Sequence, residues 1–273
     1  MSKTPRLPGA AHPSPEFLGK YLIGRYNPRM RSSQAGLRLA EETVSQWGMV
    51  TSAQARALGV TRLEMSRLAA AGHLVRLAHG VYRNAGAPSD EFEDLRAAWL
   101  STERERFAGD RLRDGVAGMI VSGASAARLH GLGDIPADRH EFTTGQRRQT
   151  QRPEIHYRQR TLTDREVTVS QGLPVTTVER TIADLVEARI DLSLVADVLR
   201  DAVNKTAIDT TVLADLLAPM AARNGLRSGD GNGLLERILK SAGMDHDSLA
   251  RRIASSPTYA TLAEVVRKVE NVG

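Results

Sequence analysis

The chain has 273 residues and a net charge of +5; 41% of its residues are hydrophobic, 25% are charged, 4% are aromatic and none is cysteine. Disulfides and thiolate metal sites are therefore excluded, and the cores must be mainly aliphatic. No apolar run approaches the roughly 20 residues of a membrane span, and the proline-broken start is not a secretory signal, so we expect a cytoplasmic protein without a membrane partner.

The positive charge is concentrated at the front of the chain. Residues 1–83 carry twelve Lys or Arg against four Glu, a net charge of +8, and the rest of the chain sums to −3. This asymmetry is expected of a nucleic-acid-binding module joined to a second domain. A solvated basic tail is the alternative, because residues 3–31 supply six of the twelve cations.

The first elements in chain order are a leader and a helix. Residues 1–33 are rich in proline, glycine, serine and arginine and lack apolar periodicity, which predicts a disordered basic leader. A helix is expected from about Ser33 to Trp47, because apolar residues recur there at helical spacing.

Two capping-box signatures then follow, ten residues apart, at Thr51–Gln54 and Thr61–Glu64. They predict a short helix from residue 52 to about residue 58, and a second helix that ends at Gly72. "HLVRL" and "GVYR" form the strands of a compact hairpin. This order predicts a winged helix-turn-helix DNA-binding domain over residues 34–86; a three-helix protein-docking module is the alternative.

The second capped helix is the expected DNA reader. If Met65, Leu68 and Ala69 face the core, a period of about 3.6 residues turns Leu63 and Ser66 outward. First-turn residues of recognition helices usually meet base edges, and hairpin cations usually meet phosphates. The predicted DNA-binding residues are Thr61, Arg62, Leu63, Ser66, Arg67, Arg76, His79 and Arg83. The alternatives are that Leu63 extends the core and that His79 is a tolerated turn residue.

Residues 87–273 predict a second, mixed α/β domain. It begins with a helix carrying Leu95, Ala98 and Trp99, followed by a buried strand and a helix with Ser122 at its cap. "HEFTT" and "EIHYRQR" predict strands, and "VTVSQGLPVTTVERTIADLVEA" predicts a strand, a turn and a helix capped by Thr176. From residue 191 onward the pattern is helical, with a weaker tail to Val272. The fold class is therefore α+β: an N-terminal winged helix-turn-helix domain followed by a mixed α/β domain ending in helices.

The second domain contains an arginine-rich stretch. Residues 139–160 include six arginines against two glutamates. A solvated strand face, a second phosphate-contacting surface and a patch that docks an acidic protein all fit this charge. The candidate residues of such a second basic surface are Arg147, Arg148, Arg152, Arg158 and Arg160.

Sequence patterns for catalysis are missing. The seven histidines form no metal-binding spacing, and no phosphate-binding loop is present. "GASAARLHG" lacks the spacing of a serine elbow, so Ser122 and Ser125 are interpreted as cap and packing residues. We expect no catalytic residue, no metal and no cofactor.

Several motifs, in the same order along the chain, resemble the AbiEi-type antitoxins, especially those of actinobacteria. They are "WGMVTSAQARALGVTRLEMSRLAAAGHLVRLAHGVYRNAGAP", "SGASAARLHGLGDIPAD", "EFTTGQRRQTQRP" and "GLPVTTVERTIADLVEA". The resemblance spans about Leu37 to Leu239. A shorter region, Ser122 to Glu187, also resembles a segment of larger proteins that append a Vsr-like endonuclease domain.

The resemblance implies a specific function. AbiEi-type proteins join a winged-helix domain to an α/β antitoxin domain, repress their own operon at inverted repeats, and counter a nucleotidyltransferase-like AbiEii toxin. It therefore implies double-stranded operator DNA and an AbiEii-type toxin, opposed directly or functionally, as partners, with a dimer on DNA as one arrangement. The alternatives are a stand-alone winged-helix regulator with a sensing C-terminal domain, and a nuclease-related enzyme.

Overall fold

A computed structural model describes residues 36, 37 and 39–244 of the chain. The predicted leader and the predicted helical tail to Val272 lie outside these described residues. Residues 39–43 are helical and continue into a 3-10 turn at Val44–Gln46. Trp47 then adopts a left-handed conformation with φ of 55°, which ends the helix where the sequence predicts its end.

The next elements form a winged helix-turn-helix. They are β1 (Met49–Thr51), α1 (Ser52–Ala57), α2 (Arg62–Ala70), β2 (Leu74–Ala78) and β3 (Val81–Asn84). The three strands form an antiparallel sheet in the order β1-β3-β2. The sequence prediction of a winged helix-turn-helix is therefore confirmed, with the addition of β1, a three-residue strand that was not predicted.

Local chemistry explains where α1 and α2 begin. Thr51 and Thr61 each accept a hydrogen bond from the backbone N–H three residues on, and Gln54 and Glu64 accept in return from the threonine N–H, so both capping boxes are formed. The helices pack around a small aliphatic core that includes Leu39, Val50, Ala55, Val60, Met65, Leu68 and Leu74.

The body of the chain is a five-stranded mixed sheet with helices. Its elements are α3 (Glu93–Thr102), α4 (Ala108–Leu112), β4 (Ile120–Val121), α5 (Gly123–His130), β5 (His140–Thr144), β6 (Ile155–Gln159), β7 (Val167–Ser170), β8 (Leu173–Thr176), α6 (Val178–Glu187), α7 (Leu192–Lys205), α8 (Thr210–Leu217) and α9 (Gly231–Ser241). The strand order is β6-β5-β4-β8-β7, with β5 parallel to β6 and β4 parallel to β8. This confirms the predicted α+β class and the helical C-terminal part.

Helix α3 connects the two sheets. Met49 and Val81 of the small sheet share one apolar cluster with Trp99 of α3 and with Phe142 and Val175 of the large sheet. Trp99 is fully buried, and its indole N–H donates to the Met119 carbonyl at 2.7 Å. Because this core is continuous across residue 86, the division into domains at that residue stays a prediction from the sequence.

A second apolar core lies among the helices of the body. Buried side chains of α5 and α6 pack there with those of α7, α8 and α9. Among the residues that the structure describes, no helix is long and apolar enough to cross a bilayer.

Three local predictions about the body need correction. Strand β8 was not predicted, because Pro174 in it resembles a turn residue. The cap of α6 is Thr177 and not Thr176, since the Thr177 hydroxyl accepts from the Arg180 N–H. Ser122 occupies the cap position of α5 without a side-chain cap bond; instead its hydroxyl accepts from Thr143 Oγ1 at 2.9 Å.

Candidate nucleic-acid interface

The outward face of α2 follows directly from its amphipathic pattern. Met65 and Leu68 are each only 3% exposed and lie in the small core. Leu63 is 59% exposed, so it does not extend that core. The other predicted α2 residues that point to solvent are Thr61, Arg62, Ser66 and Arg67. The helix therefore presents two cations, two hydroxyls and one apolar side chain on its exposed side.

The hairpin β2–β3 places two further predicted residues at its tip. His79 and Gly80 form the turn, with Gly80 at a φ of +74° that favours glycine. Arg76 folds over this turn, with its Nη2 atom 3.4 Å from His79 Nδ1. The tip is anchored to the start of α1, because the Ser52 N–H donates to the Gly80 carbonyl at 2.8 Å.

A groove of about 900 Å³ separates α2 and the hairpin from the body segment 102–106. Three of the predicted residues, Arg62, Arg76 and His79, line it together. Three further arginines that were not predicted also line it: Arg56, Arg104 and Arg106. Arg56 could have been found as an exposed cation at the end of α1. Arg104 and Arg106 could not, because only the tertiary fold brings the segment after α3 to this groove.

Arg83, the remaining predicted residue of the hairpin, lies outside this groove and contacts α3. Its side chain is 11% exposed, and its Nε atom lies 2.6 Å from Glu93 Oε2 at the start of α3. Its Nη1 group also donates to the carbonyls of Asn84 and Ala87. Because its Nε and Nη1 groups both face the protein, Arg83 ties β3 to α3, and its contact with DNA stays a prediction from the sequence.

The predicted second basic surface is largely neutralised. Arg148 pairs with Glu103 at 3.0 Å and also donates to the Thr102 carbonyl. Arg152 pairs with Glu154 at 2.7 Å and donates to Ser101 Oγ at 2.6 Å. Of the five candidates, Arg147 is exposed and has no ion pair within the described part of the chain.

Arg158 and Arg160 belong to a buried ionic cluster between β6 and α6. Arg158 and Arg160 donate to Asp184 Oδ1 at 3.1 and 2.8 Å, and Arg180 forms an ion pair with the same oxygen at 3.0 Å. Arg158 and Arg160 also pair with Glu187. These carboxylates come from a helix more than twenty residues further along the chain, so the local charge count gave no sign of them.

The pKa values in this cluster reflect competition between burial and charge. Burial raises the pKa of Asp184 above its ordinary value, and the positive charges of Arg180, Arg158 and Arg160 oppose that rise. For Glu187, burial also acts upward, but the hydrogen bond from Arg160 and the nearby cations outweigh it and lower the pKa. The cluster is a structural one that holds α6 on the sheet.

The serines of "GASAARLHG" make structural hydrogen bonds. Ser125 Oγ donates to the Arg139 carbonyl at 3.2 Å and accepts from the Glu141 N–H at 3.0 Å. Together with the Ser122–Thr143 bond, these contacts hold α5 against β5. Within residues 36–244, as far as they are described, no group of three His, Asp or Glu side chains is arranged to hold a metal ion.

The N-terminal region of the chain is similar to a known protein family. Residues 38–85 match the family model described as "Transcriptional regulator, AbiEi antitoxin". The matched residues include β1, α1, α2, β2 and β3, so they cover the winged helix-turn-helix. No curated protein matches the chain.

Proposed function

We propose that this chain is an AbiEi-type regulator that binds the operator of its own operon through α2 and the β2–β3 hairpin. Residues 38–85, which include these elements, match the family model of AbiEi antitoxin transcriptional regulators. The observation that carries the proposal is the exposure of Arg62 and Arg67 on the side of α2 opposite the small core. Arg76 and His79 extend this basic surface at the hairpin tip.

At a DNA interface, affinity and sequence selection come from different contacts. Phosphate contacts provide most of the affinity, while a few side chains at base edges select the sequence. Arg67 can donate two hydrogen bonds to a guanine, and Leu63 can contact a thymine methyl group. Two copies on an inverted repeat would place their reading helices about 34–36 Å apart, or a multiple of that distance.

The binding test uses the full chain and two duplexes. One duplex carries the region upstream of its own gene, and the other has the same base composition in shuffled order. We expect Arg62→Ala and Arg67→Ala to weaken binding to the upstream duplex by about 1–3 kcal/mol in a fluorescence anisotropy titration. If the replaced arginine contacts a base, the loss of binding free energy is larger on the upstream duplex than on the shuffled one. If it contacts a phosphate, the loss is equal on both duplexes.

Arg113→Ala is the matched control, because Arg113 is a 79% exposed arginine on the body, outside the groove. It should bind both duplexes like the parent chain. The proposal is wrong if the parent does not prefer the upstream duplex, or if the α2 variants bind like Arg113→Ala.

The antitoxin part of the proposal concerns the whole chain. We propose that it counters a nucleotidyltransferase-like toxin encoded beside it, as the family implies. Repression and protection are separated by expressing both genes from unrelated promoters and scoring growth. If protection needs only the body, the double variant Arg62→Ala/Arg67→Ala rescues growth as well as the parent chain does. Failure of the parent chain to rescue growth contradicts this part of the proposal and leaves operator binding standing.

A further inference from the structure

The segment after α3, residues 102–106, forms the wall of the groove that faces α2. Arg104 is exposed in this segment and lines the groove together with Arg62 and Arg76. It lies 37 residues after Arg67 in the chain and belongs to the body, outside the region that matches the antitoxin family.

Hydrogen bonds from two buried side chains fix the main chain of this segment to the start of α1. The Thr51 hydroxyl donates to the Arg104 carbonyl, and Gln54 Nε2 donates to the Arg106 carbonyl at 2.7 Å. Gln46 joins the same network, because its Nε2 donates to Gln54 Oε1 at 2.9 Å. Thr51 and Gln54 have no exposed surface, so both donors are directed at the protein. The capping box of α1 thus also determines where Arg104 stands.

The charges around Arg104 leave its guanidinium available to an anion. Glu103 is paired with Arg148, and Arg106 is held by Asp114 Oδ1 at 3.0 Å. Within the described part of the chain, Arg104 has no ion pair. Glu105 is exposed beside it and brings one negative charge to the same wall.

We propose that Arg104 is a phosphate-contacting residue of the DNA interface, supplied by the body and positioned by the α1 capping box. This inference rests on the proposed function, since it assigns a second wall to the same duplex site. The duplex backbone then runs between Arg62 and Arg76 on one side and Arg104 on the other. Glu105 opposes binding, because it faces the same phosphates with a like charge.

The test measures how the affinity of the full chain for the upstream duplex depends on salt. Arg104→Gln should reduce the slope of log K against log salt by about 0.9, the contribution of one phosphate contact. At about 0.15 M salt this corresponds to about a fivefold loss of affinity, equal on the upstream and shuffled duplexes. Arg104→Lys keeps the charge and should keep the slope, and Glu105→Gln should strengthen binding.

Arg113→Gln is the matched control and should leave affinity and slope at the parent values. If the parent binds but Arg104→Gln behaves like Arg113→Gln, the inference is overturned and the proposed function stands. A loss of affinity that Arg104→Lys does not restore, or that comes with a lower Tm, also overturns it. If the parent binds no duplex, the proposed function fails first, and this inference fails with it.

Discussion

Two arginine-rich regions of this molecule look alike in sequence and differ in the folded protein. In the body, Arg148, Arg152, Arg158 and Arg160 are each paired with a carboxylate. On the winged helix-turn-helix, the arginines of α2 and the hairpin tip point outward and have no carboxylate partner within the described residues. A local excess of arginine therefore predicts a basic surface only where the fold brings no acidic residue to it.

The difference has a consequence for stability. The body cluster places three guanidiniums on one oxygen of Asp184, a residue that is 1% exposed. Removing one partner of a buried ionic group leaves the remaining charges without compensation, and this costs more than the pair itself contributes. Exposed arginines such as Arg62 lose nothing comparable, because water already solvates them.

The largest expected effect is therefore on stability, at Asp184. Asp184→Asn keeps the shape of the side chain but leaves Arg158, Arg160 and Arg180 with one negative charge fewer. We expect the free energy of unfolding to fall by about 3–5 kcal/mol in urea titrations. If the variant folds at all, its ratio of affinities for the upstream and shuffled duplexes should remain that of the parent chain.

The control for this change is Asp197→Asn. Asp197 pairs with Arg200 on the surface of α7, where both side chains are at least 40% exposed. Because exposed ion pairs contribute little, this variant should lose no more than about 1 kcal/mol. If both variants lose the same free energy of unfolding, the buried cluster contributes no more to stability than a surface ion pair does.

The sequence predicts the exposed side of α2 well because its signals are local. Capping boxes and a period of 3.6 residues determine which side of α2 is exposed, and both act within a dozen residues of chain. The partner of Arg83 could not be predicted in this way, because Glu93 reaches it only after α3 has packed on the small sheet. The same limit applies to Arg104. Its place in the groove depends on hydrogen bonds that the Arg104 and Arg106 carbonyls accept from Thr51 and Gln54, some fifty residues earlier in the chain.

The second prediction compares the two capping boxes, which are alike in sequence but not in surroundings. Thr61 is exposed, so Thr61→Ala should cost about 1 kcal/mol, the usual value of a lost cap. Thr51 is fully buried and also donates to the Arg104 carbonyl. Thr51→Ala therefore removes this second hydrogen bond together with the cap, and we expect a loss of about 2–3 kcal/mol.

Unfolding in urea measures both losses, and Thr51→Ser and Thr61→Ser serve as controls because they retain the hydroxyl. The expected order is that Thr51→Ala is the most destabilised variant and that the two serine variants stay close to the parent. A larger loss for Thr61→Ala than for Thr51→Ala would show that the contact between α1 and the body segment adds nothing to stability.

The smallest expected effect concerns a histidine. Like the arginines, the histidines of the two regions differ in how far they are exposed to solvent. His79 is exposed at the hairpin tip, whereas His130 is half-buried at the end of α5, with its Nε2 atom 2.8 Å from the Thr176 carbonyl. That geometry requires a proton on Nε2 and is satisfied by the neutral ring. Burial lowers the pKa of His130 below its ordinary value of 6.5, although the hydrogen bond to Thr176 acts in the opposite direction.

The sign of the pH effect follows from this shift. Below about pH 6.5 the unfolded chain binds a proton at His130 more readily than the folded chain does, so acid favours unfolding. The stabilisation is present above that pH and is lost as the pH falls toward the lower pKa of the folded state.

His130→Gln should make the free energy of unfolding less dependent on pH between about pH 7.5 and about pH 5.5. His73→Gln, which replaces an exposed histidine next to β2, is the matched control for the substitution itself. A parent-like pH dependence in His130→Gln would place the acid sensitivity at another group, with the half-buried His140, whose pKa burial also lowers, as the next to change.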